Sequence, residues 1–152
     1  MSKNKRVYAD IDLDAVLYNM ESMHQNISPS TKMAAVIKTD GYGHGAKEIA
    51  QTIEPFPYLW GCAVATADEA MVLRNHGIKK PILILGVTFE EQYPEMIQYG
   101  IRPAVCDYET ARQLSKAAAA LQMTCLIHIK IDTGMSRIGF QVCEKTAGLV
   151  EK

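Results

Sequence analysis

A regular alternation of short apolar runs with amphipathic segments is the feature that most restricts what this chain can fold into. Each apolar run has the length of a buried strand, and each is followed by a segment with helical spacing. The predicted strands cover residues 33–38, 59–64, 81–85, 102–105 and 123–131. Strands that alternate with helices indicate repeated βα units around a parallel sheet. The connections between successive strands are expected to be right-handed.

Two architectures of the α/β class are compatible with these units. One is part of a parallel (β/α)8 barrel of the TIM type, which needs eight units and typically about 250 residues. The other is an open, doubly wound sheet. An additional strand, Tyr8–Leu13, is predicted ahead of the units because apolar and polar residues alternate there. A helix from an N-cap at Asp12 or Asp14 to about Gln25 is expected to follow it. Neither GxGxxG nor GxxxxGK[ST] is present, so no nucleotide-binding pattern supports the doubly wound sheet.

Composition excludes several classes of function. The 152 residues carry a net charge of −1, which predicts no general attraction to nucleic acid or to an anionic membrane. Apolar runs such as 81–87 are far too short to span a bilayer. The four cysteines form no CxxC pair, which favours reduced thiols. No apolar core follows the basic start, Met1–Arg6, so we expect no secretion signal and a cytoplasmic protein.

One lysine lies where a reactive amine would be useful. Lys38 ends a predicted strand, and the glycine-punctuated loop Thr39–Gly45 follows it. Desolvation at such a position favours the neutral amine, which can attack a carbonyl and form a Schiff base. Tyr42 and backbone N–H groups of the loop can donate hydrogen bonds to an anion such as phosphate. His44 is expected to close the loop, because no partner residue is spaced for a metal site. A surface lysine at a strand end is the simpler alternative from periodicity alone.

A second group of polar residues falls in the last predicted strand and just after it. Strand alternation places His128, Lys130 and Asp132 on one face, which is unusual for an internal strand. The segment from Asp132 to Gly134 is predicted to turn the chain out of the strand. Arg137 follows, and its planar fork of donors suits bidentate binding of a carboxylate. The alternative is a solvated strand end followed by a surface arginine.

Two stretches, Val36–Gly45 (VIKTDGYGHG) and Lys130–Gly139 (KIDTGMSRIG), resemble the alanine racemases, a family that uses pyridoxal phosphate (PLP). Two motifs in the family's order are more specific than either alone. The family usually has alanine after the lysine, where this chain has Thr39. The resemblance covers essentially the whole chain, but only the amino-terminal part of the family's length. It implies that residues 1–152 are the amino-terminal part of a PLP-binding barrel domain, without the family's carboxyl-terminal β domain.

The resemblance also implies a role for each candidate residue. Lys38 would hold PLP and act as an acid/base at the substrate Cα, and Tyr42 would bind the cofactor phosphate. Leu85 would pack against the cofactor ring as an apolar wall. Arg137 would contact the phenolic oxygen of PLP and the substrate carboxylate. Lys130 matches a lysine that many members carry as a carbamate, an anion that would pair with Arg137. No metal is implied.

The complete enzyme implied by the resemblance is an isomerase that interconverts L-alanine and D-alanine and supplies D-alanine for peptidoglycan of the cell wall. It would be a homodimer, and serine stays possible as a substrate because serine racemases share these motifs. One alternative is a PLP-binding homeostasis protein, a barrel without racemase activity. The other is a partial-barrel module that assembles with another chain, since five of eight units leave strand edges unpaired.

Overall fold

Five parallel strands form the central sheet, and they follow one another across it in the order of the chain. The structure, a computed structural model, describes residues 7–151, so the basic start Met1–Arg6 lies outside the described residues. The strands are β1 (Met33–Val36), β2 (Leu59–Val64), β3 (Ile82–Ile84), β4 (Arg102–Val105) and β5 (His128–Ile129). A separate two-stranded parallel sheet contains β6 (Ile131–Asp132) and β7 (Phe140–Gln141).

Helices precede and connect the strands. They are α1 (Leu13–Gln25), α2 (Ala46–Ile53), α3 (Ala67–Asn75), α4 (Tyr93–Gln98, after a 3-10 turn at Glu90–Gln92), α5 (Tyr108–Ala120) and α6 (Glu144–Val150). Capping residues set where they begin: the Asp12 carboxylate accepts hydrogen bonds from two backbone N–H groups of α1, and the Asp107 carboxylate accepts the backbone N–H and the hydroxyl of Thr110 in α5. Glycines at positive φ, Gly77 and Gly100, follow the ends of α3 and α4.

The order of the strands decides between the two predicted architectures. A doubly wound sheet reverses its strand order at a switch point, and this sheet runs from β1 to β5 without a reversal. Each neighbouring pair is parallel. The prediction of a partial TIM-type barrel with five βα units is therefore confirmed, and the doubly wound alternative is wrong.

The hydrophobic core lies between the helices and one face of the sheet. From the strands it takes Cys62, Val64, Ile82, Ile84 and Val105, and from the helices Ala70, Leu73, Tyr93, Met96 and Leu114. Full burial of an aliphatic side chain of this size stabilises a fold by about 1.5–3 kcal/mol. Burial also raises the pKa of the Cys62 thiol to about 12, so this thiol is unreactive. Because one face of the sheet packs against the helices, the side chains on the opposite face do not contact the helices and can form a site.

The predicted amino-terminal strand, Tyr8–Leu13, is wrong. Residues 8–12 are irregular, Tyr8 is exposed, and Leu13 already begins α1. A strand needs a hydrogen-bonded neighbour, and the ladder of β1 is formed with β2 only, within residues 7–151. The alternation that suggested a strand partly reflects Asp12, which serves as the helix cap.

The predicted fifth strand, residues 123–131, is shorter than expected. β5 contains only His128 and Ile129, paired with Ala104 and Val105 of β4. Met123, the first residue of the predicted strand, takes part instead in the end of α5. Gln122 adopts a φ of 53°, and the Met123 N–H then donates to the Ala118 carbonyl at 3.0 Å. The last helix, α6, begins at Glu144, and the β6–β7 pair was not predicted.

Candidate active site

The register of the sheet places the candidate residues on one face. Along parallel strands, paired residues share a face, as do residues two apart on one strand. Val36 pairs with Ala63, which pairs with Leu83, which pairs with Arg102. Ala104, two residues after Arg102, pairs with His128. We call this side, opposite the helices, the inner face of the sheet.

Three of the predicted site residues belong to the carboxyl-terminal edge of this inner face. Lys38 is two residues after Val36, Leu85 is two after Leu83, and Lys130 is two after His128. Each is partly buried, whereas Ile37 and Ile84 beside them are buried in the core. In barrels of this type, the carboxyl ends of the strands form the catalytic face.

The chain after β1 forms a left-handed turn. From Thr39 to Tyr42, four successive residues have φ between 52° and 62°. Three of them are not glycine, and this conformation costs such residues roughly 1–2 kcal/mol each. The sequence predicted a glycine-punctuated loop, and the structure shows a left-handed turn in which residues other than glycine carry the strain. Strain of this kind persists only where the surroundings fix the backbone.

Hydrogen bonds within the turn hold it from its carboxyl-terminal side. The Gly45 N–H donates to the Asp40 carbonyl, and the Ala46 N–H donates to the Asp40 carboxylate, both at 2.9 Å. The Gly41 N–H donates to the Ile37 carbonyl at 2.9 Å. The His44 ring nitrogen Nδ1 lies 3.0 Å from the Gly41 carbonyl oxygen. The predicted role of His44 in closing the loop is thereby confirmed.

A carboxylate that the sequence analysis missed holds the other side of the turn. Glu69 accepts the Thr39 N–H on one oxygen and the Ala65 N–H on the other, both at 2.7 Å. Its spacing from Thr66 is that of a capping box, in which the glutamate would bind the N–H of the N-cap residue. Thr66 does accept the Glu69 N–H, at 3.3 Å, but the glutamate side chain extends to the strand ends instead. The capping pattern therefore concealed this contact in the sequence.

The amine of Lys38 and the ring of Tyr42 lie on the same side of the turn. The Lys38 Nζ is 6.0 Å from the centre of the Tyr42 ring, at the outer limit of a cation–π contact. Tyr42 is 59% exposed, so its hydroxyl is accessible to a ligand. The turn thus presents a primary amine and a phenol together.

Leu85 provides an apolar surface at the end of β3, two strands across the sheet from β1. Its N–H donates to the Val64 carbonyl at 2.8 Å, which continues the β2–β3 ladder beyond β3. Because Ile84 is fully buried against the helices, the alternation directs Leu85 to the inner face. Leu85 therefore lies where an apolar wall was predicted.

Burial alternates along the last predicted strand and beyond it, but β5 ends at Ile129 and Asp132 belongs to β6, so a common face that includes Asp132 stays a prediction. His128, Lys130 and Asp132 are partly buried, whereas Ile129 and Ile131 are 43% and 44% exposed. Burial lowers the pKa of His128, and the positive charge of Arg102 lowers it further. The Lys130 backbone is fixed on both sides, since its N–H donates to the Val105 carbonyl and its carbonyl accepts the Phe140 N–H.

The turn after Lys130 is confirmed, and it leads to Arg137. One oxygen of Asp132 accepts the N–H groups of Gly134 and Ser136, both at 3.0 Å, and these bonds lower the pKa of its carboxyl group. Arg137 itself is exposed, and within residues 7–151 no hydrogen bond or ion pair joins it to another side chain. The pairing of Arg137 with Lys130 stays a prediction.

The residues at this edge fit PLP by the chemistry of their side chains. A lysine amine suits an aldehyde, a phenol and backbone donors suit a phosphate, and a leucine suits an aromatic ring. Within the described part of the chain, no group of three His, Cys, Asp or Glu side chains is arranged to hold a metal ion. The same residues contain no helix long and apolar enough to cross a membrane.

Comparisons with known proteins agree with this arrangement. Residues 11–152 match the family model described as alanine racemase, N-terminal domain. The chain is 42% identical over 133 residues to an alanine racemase of Desulfosudis oleivorans, covering 87% of this chain and 34% of the relative. It is also 42% identical over 149 residues to alanine racemase 1 of Clostridium acetobutylicum, covering 96% and 37%.

A solved structure gives the same result for the fold. An alanine racemase structure from Clostridium difficile 630 superposes with a TM-score of 0.90 at 37% identity, covering 93% of this chain and 37% of that one. The chain thus spans little more than a third of the length of these proteins.

Proposed function

Since this chain belongs to the alanine racemase family, as its amino-terminal domain, we propose that the complete protein interconverts L-alanine and D-alanine with PLP. The observation that carries the proposal is the position of Lys38, on the inner face at the carboxyl-terminal edge, beside Tyr42 on a strained turn. Strained backbone at a ligand-facing strand end is typical of functional sites. We propose that residues 1–152 contribute one part of a PLP-binding surface, which later parts of the protein complete.

The residues of this chain divide the work by their chemistry. PLP, when bound, would supply an electron sink that makes the substrate Cα proton removable. Lys38 would anchor the cofactor and then exchange a proton with Cα from one face. Tyr42 would donate a hydrogen bond to the phosphate, and Leu85 would keep water from the reacting group. Arg137 would bind the substrate carboxylate through two parallel N–H donors.

A chiral assay of the complete protein tests this function. Purified protein with added PLP is incubated with L-alanine, and D-alanine is measured by chiral chromatography. We expect D-alanine to approach equality with L-alanine, because racemisation has an equilibrium constant of one for enantiomers. A parallel incubation with L-serine decides whether the protein acts on serine as well. PLP binding without turnover of either amino acid would contradict the proposal and favour a PLP homeostasis protein.

The cellular setting follows from the same proposal. D-alanine made by such an enzyme is used in peptidoglycan of the cell wall, and the complete protein would work in the cytoplasm as a homodimer. The substrate is a small amino acid, in agreement with the relatives' names.

We predict that Lys130 is carbamylated in the complete enzyme and that Lys130→Ala lowers kcat/KM by roughly 10²-fold, a loss typical for a group that orients a catalytic side chain. The reason is that Arg137 needs an anionic partner, and an unmodified lysine would repel it. Acetate or another small carboxylate added to the variant should restore part of the activity. Mass spectrometry of the intact wild-type protein, without acid, should show one added carbon dioxide that the variant lacks.

Lys116→Ala provides the matched control, since Lys116 is an exposed lysine on α5. It should keep wild-type kinetics and the added mass. Equal activity of Lys130→Ala and wild type would contradict the prediction.

A further inference from the structure

We propose that Glu69 is a positioning residue for Lys38. Its carboxylate joins the chain just after β1 to the chain just after β2, and so fixes where the Lys38 amine is presented on the inner face. The inference rests on the proposed function only in naming Lys38 as the cofactor lysine. The contact itself depends on neither cofactor nor substrate.

The Glu69 carboxylate acts as a bidentate hydrogen-bond acceptor. The Thr39 N–H and the Ala65 N–H each donate to a different oxygen of Glu69, at 2.7 Å. Hydrogen bonds to an ionised acceptor are short and roughly twice as strong as neutral ones. Only a carboxylate can accept both bonds in this way, because a glutamine has a single acceptor oxygen in its side chain.

The helix that carries Glu69, α3, is itself held in place by packing. Glu69 lies in the first turn of α3, next to Ala70, which is fully buried, and one turn before Leu73, which is 1% exposed. Thr66 caps the same helix. A side chain on a packed helix can therefore hold a loop in place, whereas an exposed glutamate could not.

Glu69 holds the first residue of the strained turn. Thr39 is the first residue of the left-handed turn, and it is β-branched with a φ of 53°, a conformation that such residues rarely adopt. Its N–H immediately follows Lys38. The N–H groups of Gly45 and Ala46 donate to Asp40 and hold the carboxyl-terminal side of the turn, and Glu69 holds its amino-terminal side. If Glu69 is removed, Lys38 and Tyr42 should lose their fixed relation to β2.

The test compares Glu69→Gln with Asp68→Asn in the complete protein. Asp68 precedes Glu69 and is exposed, so its substitution removes the same charge from the same helix turn without touching the strand ends. In PLP-free protein, hydrogen exchange followed by mass spectrometry reports on residues 38–46 and 65. We expect exchange to accelerate by about tenfold or more in Glu69→Gln, as expected for loss of a charged acceptor, and to stay unchanged in Asp68→Asn.

A second readout follows the lysine itself. PLP is added, the protein is reduced with borohydride, and the rate at which Lys38 becomes labelled is measured. We expect slower labelling in Glu69→Gln, and a kcat about 10²-fold lower with little change in KM for alanine, because misplacement affects the chemical step more than substrate binding. Glu69→Asp keeps the charge but is one methylene shorter, and should give intermediate values if the glutamine variant folds poorly.

Each outcome decides a different point. Unchanged exchange in Glu69→Gln would overturn the inference, and so would faster exchange with wild-type labelling and kcat. The inference would also be overturned if Asp68→Asn showed the same faster exchange, slower labelling and lower kcat as Glu69→Gln. The effects would then be due to the charge of the helix and not to the bonds of Glu69. A wild-type protein that takes no label at all overturns the proposed function instead, and the exchange data then decide alone whether Glu69 holds the Lys38 turn.

Discussion

A complete protein carrying Lys38→Ala is expected to lose all measurable racemisation, a fall of at least about 10⁴-fold in kcat. The loss is large because one substitution removes both the covalent anchor for PLP and the proton-transfer group on one side of the substrate. Turnover is measured as D-alanine formed from L-alanine. Borohydride reduction in the presence of PLP, followed by peptide mapping, should label wild-type Lys38 and leave the variant unlabelled.

Lys47→Ala is the matched control for this experiment. Lys47 lies at the start of α2, just after the left-handed turn. Its amine pairs with Glu48 at 2.9 Å, and its side chain is partly exposed. Its substitution should leave both labelling and turnover near the wild-type level. Label on Lys32 or Lys47, with Lys38 untouched, would show that the cofactor lysine has been assigned to the wrong residue.

The polypeptide of residues 1–152 alone is expected to show no measurable racemisation and only weak PLP binding. Racemisation needs an acid/base on each side of the planar Cα, and under the proposed function Lys38 would serve one side. The family resemblance implies that the opposite base is a tyrosine from a carboxyl-terminal domain, supplied across a dimer interface. Phosphate in (β/α)8 barrels is usually bound by loops after the seventh and eighth strands, and the five strands here precede them.

The physical state of this polypeptide supports the same expectation. β1 and β5 each have one neighbouring strand within residues 7–151, and unpaired strand edges invite association. Apolar side chains at the sheet ends are also uncovered, with Val36 44% exposed and Ile129 43% exposed. We expect light scattering to show aggregates or an assembly. Adding the remaining part of the protein should restore activity if the two parts assemble.

The activity assay decides this prediction. The purified polypeptide is incubated with PLP and L-alanine, beside the complete protein at equal concentration. Robust formation of D-alanine by residues 1–152, abolished by Lys38→Ala, would contradict it. That result would also mean that a second base lies within these residues, and Tyr42 and His44 would be the first to substitute.

The rhythm of apolar runs was sufficient to predict the five strands, because a buried parallel strand must be apolar along its length. It was not sufficient at the two ends of the sheet. Tyr8–Leu13 has a strand-like pattern, but pairing depends on a neighbour that the local sequence does not describe. Residues 123–127 were expected in a strand, but Met123 is bonded to the end of α5 and β4 pairs only with His128 and Ile129.

The positions of the candidate residues at the strand ends could be predicted from the sequence, whereas the hydrogen bonds that support them could not. Lys38, Leu85 and Lys130 follow apolar runs, and the sheet register then places them on one face. The left-handed conformation of Thr39 could not be predicted, because its local preferences oppose it. The bond from Glu69 spans thirty positions in the chain, and the local capping pattern already gave that glutamate a role.

The bonds around Lys38 have a consequence for the order in which this fold forms. Among the described residues, the hydrogen bonds that hold the left-handed turn all lie between Ile37 and Glu69. Contacts of short sequence separation form fastest in folding. The backbone that carries Lys38 therefore depends on bonds that are local in the chain, and we expect them to be among the first of the sheet to form.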